Sequence, residues 1–150
     1  MLEFIKSLSG LLTPLIAIIT TYIAIQQYRL SKFKIRHDLY DRRSIVYKGV
    51  MEFLSNISRF SQNADEASTK LLRDASESNF LFKPEVSEYI ESLYMKGTEL
   101  WAINEELKDT SEDPDDRKLN RKKKAEIVKW FHGQYEITRK MFKPYLTMDS

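Results

Sequence analysis

Apolar residues follow two different patterns along this chain. From Ser7 to Tyr28 no side chain is charged, and the run SLSGLLTPLIAIITTYIAIQQY is apolar around most of its circumference. From Leu39 onward, apolar residues instead recur at steps of three, four and seven, the spacing of a helix with one buried face. At about 1.5 Å per helical residue, the first run matches a hydrocarbon core about 30 Å thick. Lys6 and Arg29 close its ends, and Tyr22 and Tyr28 suit the membrane–water interface. The expectation is a transmembrane anchor over residues 1–28. A cleaved leader fits less well, because the start carries Glu3 beside Lys6 and the TYIAIQQYR stretch offers a poor cleavage site.

The second pattern predicts helices. Leu39, Val46, Val50, Phe53, Ile57 and Phe60 form one stripe, widened by Met51 and Leu54. Gly and Pro are missing from residues 15–48, so the membrane helix is expected to run on to about Ser61, with Gln26–Asp38 as an exposed neck. Domain boundaries follow: 29–61 is a basic neck and first bundle helix, and 62–150 is the rest of the bundle. A turn at Ser61–Asp65 leads to a helix carrying Ala67, Leu71, Leu72 and Ala75. SESNFLFKPE breaks the period and reads as a loop whose Phe80, Leu81 and Phe82 plug the core. Pro84 opens a helix to about Lys108, with Val86, Ile90, Leu93, Gly97, Leu100 and Leu107 in its stripe and Tyr94 and Trp101 beside it. After the acidic loop DTSEDPDD, a last helix is expected from about Arg117 to Phe142. Its expected core residues are Leu119, Ile127, Trp130, Phe131, Ile137, Met141 and Phe142. The fold class is all-α: an N-terminal transmembrane helix extending into a cytoplasmic three- to four-helix bundle.

Within the apolar run the residues sort by size. Gly10, Thr13, Pro14, Ala17, Thr20, Thr21 and Ala24 fall on one side of a helix, and Leu and Ile fill the other. Lipid gives no reason for such sorting, whereas helix association does, because small residues let backbones approach. A pore lining is the alternative, and chance the plain one. Pro14 is a candidate kink.

Charge then sets orientation. Arg29, Lys32, Lys34 and Arg36 precede the first acid after the run, Asp38, while Lys6 stands alone on the other side. The basic side stays in the cytoplasm, so the N-terminus is expected outside and the bundle inside. The same cluster attracts anionic headgroups. Over the whole chain, 24 basic and 22 acidic side chains leave a net charge of +2, which does not point to nucleic acid. With no cysteine, disulfides and thiolate chemistry are excluded.

Candidate chemistry is sparse. His37 and His132 have no second His or Cys at ligand spacing, and the glycines are isolated rather than gathered in a phosphate loop. Gly49 and Gly97 lie within predicted helices, where close packing is the expected reason for them. Asp38, Asp41, Arg42 and Arg43 form the most concentrated polar group, readable as a contact between neck and bundle or between subunits, or as a solvated face. The acidic loop lacks the ligand alternation of a calcium site. The run Arg121–Lys124 reads as a solvated face or a grip on phosphate or lipid. No catalytic, cofactor or metal residues are assigned.

Three stretches, LYDRRSIVY (39–47), FLFKPEVSEYI (80–90) and WFHGQYEITRKMFKPYL (130–146), together with the uncharged start, resemble a widespread group of small bacterial proteins with one membrane helix and a cytoplasmic helical region. The resemblance implies this architecture and a bacterial origin, so the inner membrane is the expected location, and it supplies no catalytic residues. In layout alone, the chain is similar to membrane-pore effectors that accompany CRISPR systems. The expected function is therefore a non-enzymatic anchored module that forms a homo-oligomer or scaffolds a cytoplasmic protein partner at the bilayer. The alternatives are an oligomeric pore in antiviral defence and a membrane-tethered enzyme.

Overall fold

The computed structural model describes residues 2–59, 63–109 and 113–147, with the side chains of the first helix described from Pro14 on. The described residues form α1 (Leu2–Arg59), α2 (Ala64–Asp74), α3 (Ser78–Leu81), α4 (Pro84–Glu106) and α5 (Pro114–Phe142), with a 3-10 turn over Lys143–Tyr145. No described residue is in a strand, and the fold is all-α. The chain divides into two compact units, Met1–Asp38 and Leu39–Ser150.

The first unit is helical, and Pro14 does not end its helix. Every described side chain from Pro14 to Asp38 is exposed. Among the described residues no helix is long and apolar enough to cross a membrane. The uncharged run begins at Ser7, and its residues 7–13 lie outside the described side chains.

The second unit is a bundle built from the end of α1 with α2, α4 and α5. Neighbours run antiparallel. Glu52 pairs with Lys70 and Gly49 abuts Asp74, so α2 descends beside α1. The rings of Tyr47 and Phe142, and of Phe53 and Phe131, meet at 5.5 and 5.6 Å, so α5 also descends along α1. Tyr89 bonds Thr138 while Glu106 accepts from Asn120, which sets α4 against α5 in the same way. This is up-down-up-down order, which short connections favour. The core joins Val46, Val50, Phe53, Leu54 and Ile57 of α1 to Leu71, Leu93, Leu100, Phe131 and Phe142. Truncating a phenylalanine buried in this way typically costs about 3–5 kcal/mol.

Glycines mark the closest approaches. A Cβ on Gly97 would lie 2.5 Å from Ser68 Oγ and 3.0 Å from Phe53 Cζ, so α4 meets both α1 and α2 there. A Cβ on Gly49 would lie 2.7 Å from Asp74 Cβ.

Several expectations need correction. The 76–85 stretch is not all loop, because Ser78–Leu81 makes one helical turn. That turn buries Leu81 and Phe82 but swings Phe80 outward, leaving it 89% exposed. Successive residues of a helix point about 100° apart, so three consecutive apolar residues cannot all face inward. Leu119, Ile137 and Leu72 are exposed, off the buried stripes of their helices, and Leu39, in line with Val46, is exposed at the start of the second unit. Leu107, Trp130 and Met141 are half-buried at the core's edge. The last helix begins at Pro114 rather than Arg117, with the Asp113 carboxylate accepting from the Asp115 amide at 2.9 Å. Acidic residues of the expected loop thus serve as a cap and a first turn, where the helix dipole favours them. Asn63 occupies the cap position of α2 without a side-chain cap bond.

Candidate functional site

The exposed segment of α1 is the most unusual surface among the described residues. Leu15, Ile16, Ile18, Ile19, Ile23 and Ile25 are each about half exposed or more. A helix of a water-soluble bundle buries its apolar stripe against a neighbour, whereas these residues form one broad side of the helix and stay exposed.

Of the small-residue stripe, Gly10 and Thr13 lie outside the described side chains, while Pro14, Ala17, Thr20, Thr21 and Ala24 are exposed. The threonine hydroxyls are turned inward to their own helix. Thr20 Oγ1 donates to the carbonyls of Ile16 (2.9 Å) and Ala17 (3.0 Å), and Thr21 Oγ1 donates to Ala17 (2.7 Å). This back-bonding satisfies the donor without water. Hydroxyls bonded in this way need no partner outside their own helix.

Past the apolar run, Arg29, Lys32, Lys34 and Arg36 are all exposed, and the Lys32 ammonium stands 5.9 Å from the Tyr28 ring centroid. Leu30, Phe33 and Ile35 interleave with them and are also exposed. Long basic stems beside apolar and aromatic residues suit the boundary between hydrocarbon and headgroups.

The polar group divides between the two units. Asp38 is exposed at the end of the first, and Asp41 is exposed at the start of the second. Arg42 reaches Glu77 at 3.4 Å. Arg43 is half-buried; its Nε donates to the Leu81 carbonyl at 3.0 Å, and its guanidinium lies 5.4 Å from the Tyr145 ring centroid. Arg43 thus ties α1 to the α3 turn and to the C-terminal 3-10 turn, a geometry that a lysine would not reproduce.

The histidines are far apart in chemical role. His37 is exposed beside Phe33, and His132 Nδ1 lies 2.8 Å from the carbonyl of Val128 on its own helix. Among the described residues no three His, Cys, Asp or Glu side chains gather as a metal site. The buried polar cluster is Tyr89, Thr138 and Gln134. The Tyr89 hydroxyl lies 2.7 Å from Thr138 Oγ1, which itself donates to the Gln134 carbonyl at 2.8 Å. Burial pushes the Tyr89 phenol above its ordinary value, against the smaller opposing effect of Thr138. Sequence reasoning missed this cluster because Gln134 and Thr138 are polar residues on the buried face of α5.

A run of consecutive lysines hid another arrangement. Arg121, Lys124, Ala125, Val128, Lys129 and His132 share one side of α5 and line a shallow depression. Their spacing, legible in the sequence, is that of one helix face. No family model matches the chain, and no curated protein or solved structure does so either.

Proposed function

We propose that this chain is a membrane-anchored, non-enzymatic helical module that self-associates at the inner membrane through its N-terminal segment. The observation that carries the reading is the uncharged run Ser7–Tyr28, whose described apolar side chains are left bare by the rest of the chain. Burying an isoleucine or leucine is worth about 1.5–3 kcal/mol, so a segment of this kind is driven into lipid or against other copies. The interleaved basic and aromatic neck, rising in positive charge after Tyr28, supports an orientation with the bundle in the cytoplasm. Anchoring acts by confinement: copies restricted to one surface meet at a higher effective concentration without any new contact.

Flotation of the untagged full-length chain with membranes, resistant to salt and alkaline washing, is the test. Recovery in the supernatant without detergent would end the anchoring reading. For self-association, Ala17→Leu with Thr21→Leu is expected to lower the native mass in detergent, since bulk on the small face separates the backbones.

A further inference from the structure

We infer that neighbouring copies pack side by side, with the outer stripe of α4 on one copy against the basic stripe of α5 on the next. In one respect this rests on the anchoring reading: copies held by the same N-terminal segment share one membrane surface, and the contact is between copies that stand in the same sense. Inside one bundle, Tyr89 is level with Thr138 and Glu106 with Asn120, so each step forward along α4 is a step back along α5. Two copies standing in the same sense carry that correspondence across their contact.

The residues made level in this way are complementary. Glu106 meets Arg121, Ala102 meets Ala125, and Glu99 comes level with Val128 beside Lys129. One step further, Met95 meets His132. The steps along the two stripes are the same, four, three and four residues, so each stripe keeps to one side of its helix. All of these side chains are exposed except half-buried Val128. The small pair at the centre lets the backbones approach, with opposite charges on either side.

The charge balance of the two helices points the same way. α4 carries six glutamates against one lysine, and α5 carries nine Lys or Arg against four Asp or Glu. Among the described residues Arg121, Lys124 and Lys129 make no ion pair, although they crowd one face. Glu99 is held by Lys96 at 2.6 Å and Glu106 by Asn120 at 3.0 Å. The exposed Lys96 contact is readily exchanged for a neighbour's cation. A contact of this kind is heterologous and extends into a ring or an open row.

The absence of native cysteine allows a direct test on the full chain in detergent micelles and in native membranes. One copy carries Ala102→Cys and the other Ala125→Cys. Mild oxidation of the mixture is expected to give a covalent dimer at least tenfold more abundantly than either variant alone. Adding Arg121→Glu with Lys129→Glu to the Ala125→Cys chain should cut the yield about tenfold, and adding Glu99→Lys with Glu106→Lys to its partner should restore it. Helix content by circular dichroism is the folding control. Equal yields in mixed and single samples would overturn the inference. So would retained mixed yield on charge reversal, or loss by the Arg121/Lys129 variant of binding to phosphatidylglycerol vesicles or an RNA oligonucleotide with the cross-link unchanged. Flotation of the same chains is scored separately. A chain that floats without cross-linking removes this contact and leaves the anchor, and one that cross-links without floating removes the anchor alone.

Discussion

At the scale of single residues, the bundle is set by where side chains are too small to collide. Gly97 and Gly133 occupy α4 and α5 helix interiors, yet a Cβ on Gly133 would meet nothing within 4 Å, whereas one on Gly97 would strike Ser68 and Phe53. Gly133→Ala should therefore stabilise the bundle by up to about 1 kcal/mol through helix propensity. Gly97→Ala should destabilise it by about 1–3 kcal/mol through overpacking. Thermal melts of the two variants check the opposite signs. Ser68 Oγ is buried without a partner among the described residues. Ser68→Ala is accordingly expected to leave the melting temperature unchanged or raise it, since no hydrogen bond is lost. Tyr89 adds a pH dependence. Its phenol is raised in the folded state, so the unfolded chain ionises first as pH increases. The stability it contributes is whole below about pH 10, the ordinary tyrosine value, and is lost as pH rises through the raised one. Denaturant midpoints between about pH 9 and about pH 11 should fall less steeply in Tyr89→Phe than in the parent. Gly97 was legible in the sequence as an anomaly inside a helical stripe. Its colliding partners were not, because α1, α2 and α4 meet there only after folding.

At the scale of elements, α5 shows where periodicity suffices and where it fails. Ile127, Phe131 and Phe142 belong to one stripe and are buried, while Leu119 and Ile137, apolar but on another side, are exposed. Phe131→Ala should cost about 3–5 kcal/mol. Ile137→Ala should stay within about 0.5 kcal/mol, as measured by chemical denaturation. What fills the stripe instead is polar: Asn120, Gln134 and Thr138 are buried. Residue type alone assigns such positions to the surface. Glu106 on the partner helix accepts from Asn120 and Tyr89 bonds Thr138, while Gln134 and Thr138 also donate to carbonyls of α5 itself, and these bonds make their burial tolerable. The helix start shifted for a related reason. DPDD reads by composition as a loop, yet Pro at the first turn and acids beside the positive end of the dipole are helix-start signals too.

At the scale of the molecule, the second unit has a core of its own, while the first leaves its described apolar side chains bare. A chain beginning at Leu39 should therefore remain in the supernatant after ultracentrifugation and unfold cooperatively, while the full chain pellets with membranes; sedimentation of both checks this. The sequence by itself determined the helical class, the near positions of the helix ends and the uncharged run, because each depends on local spacing, charge and propensity. It also determined that close packing would be needed at Gly49 and Gly97. Only the tertiary structure decided which side of each helix is inward at its ambiguous positions, sending Phe80 out and Thr138 in. It alone fixed the antiparallel register that sets Glu106 against Asn120. Those outcomes depend on contacts between residues far apart in the chain, and such contacts are established when the helices dock, not when they form.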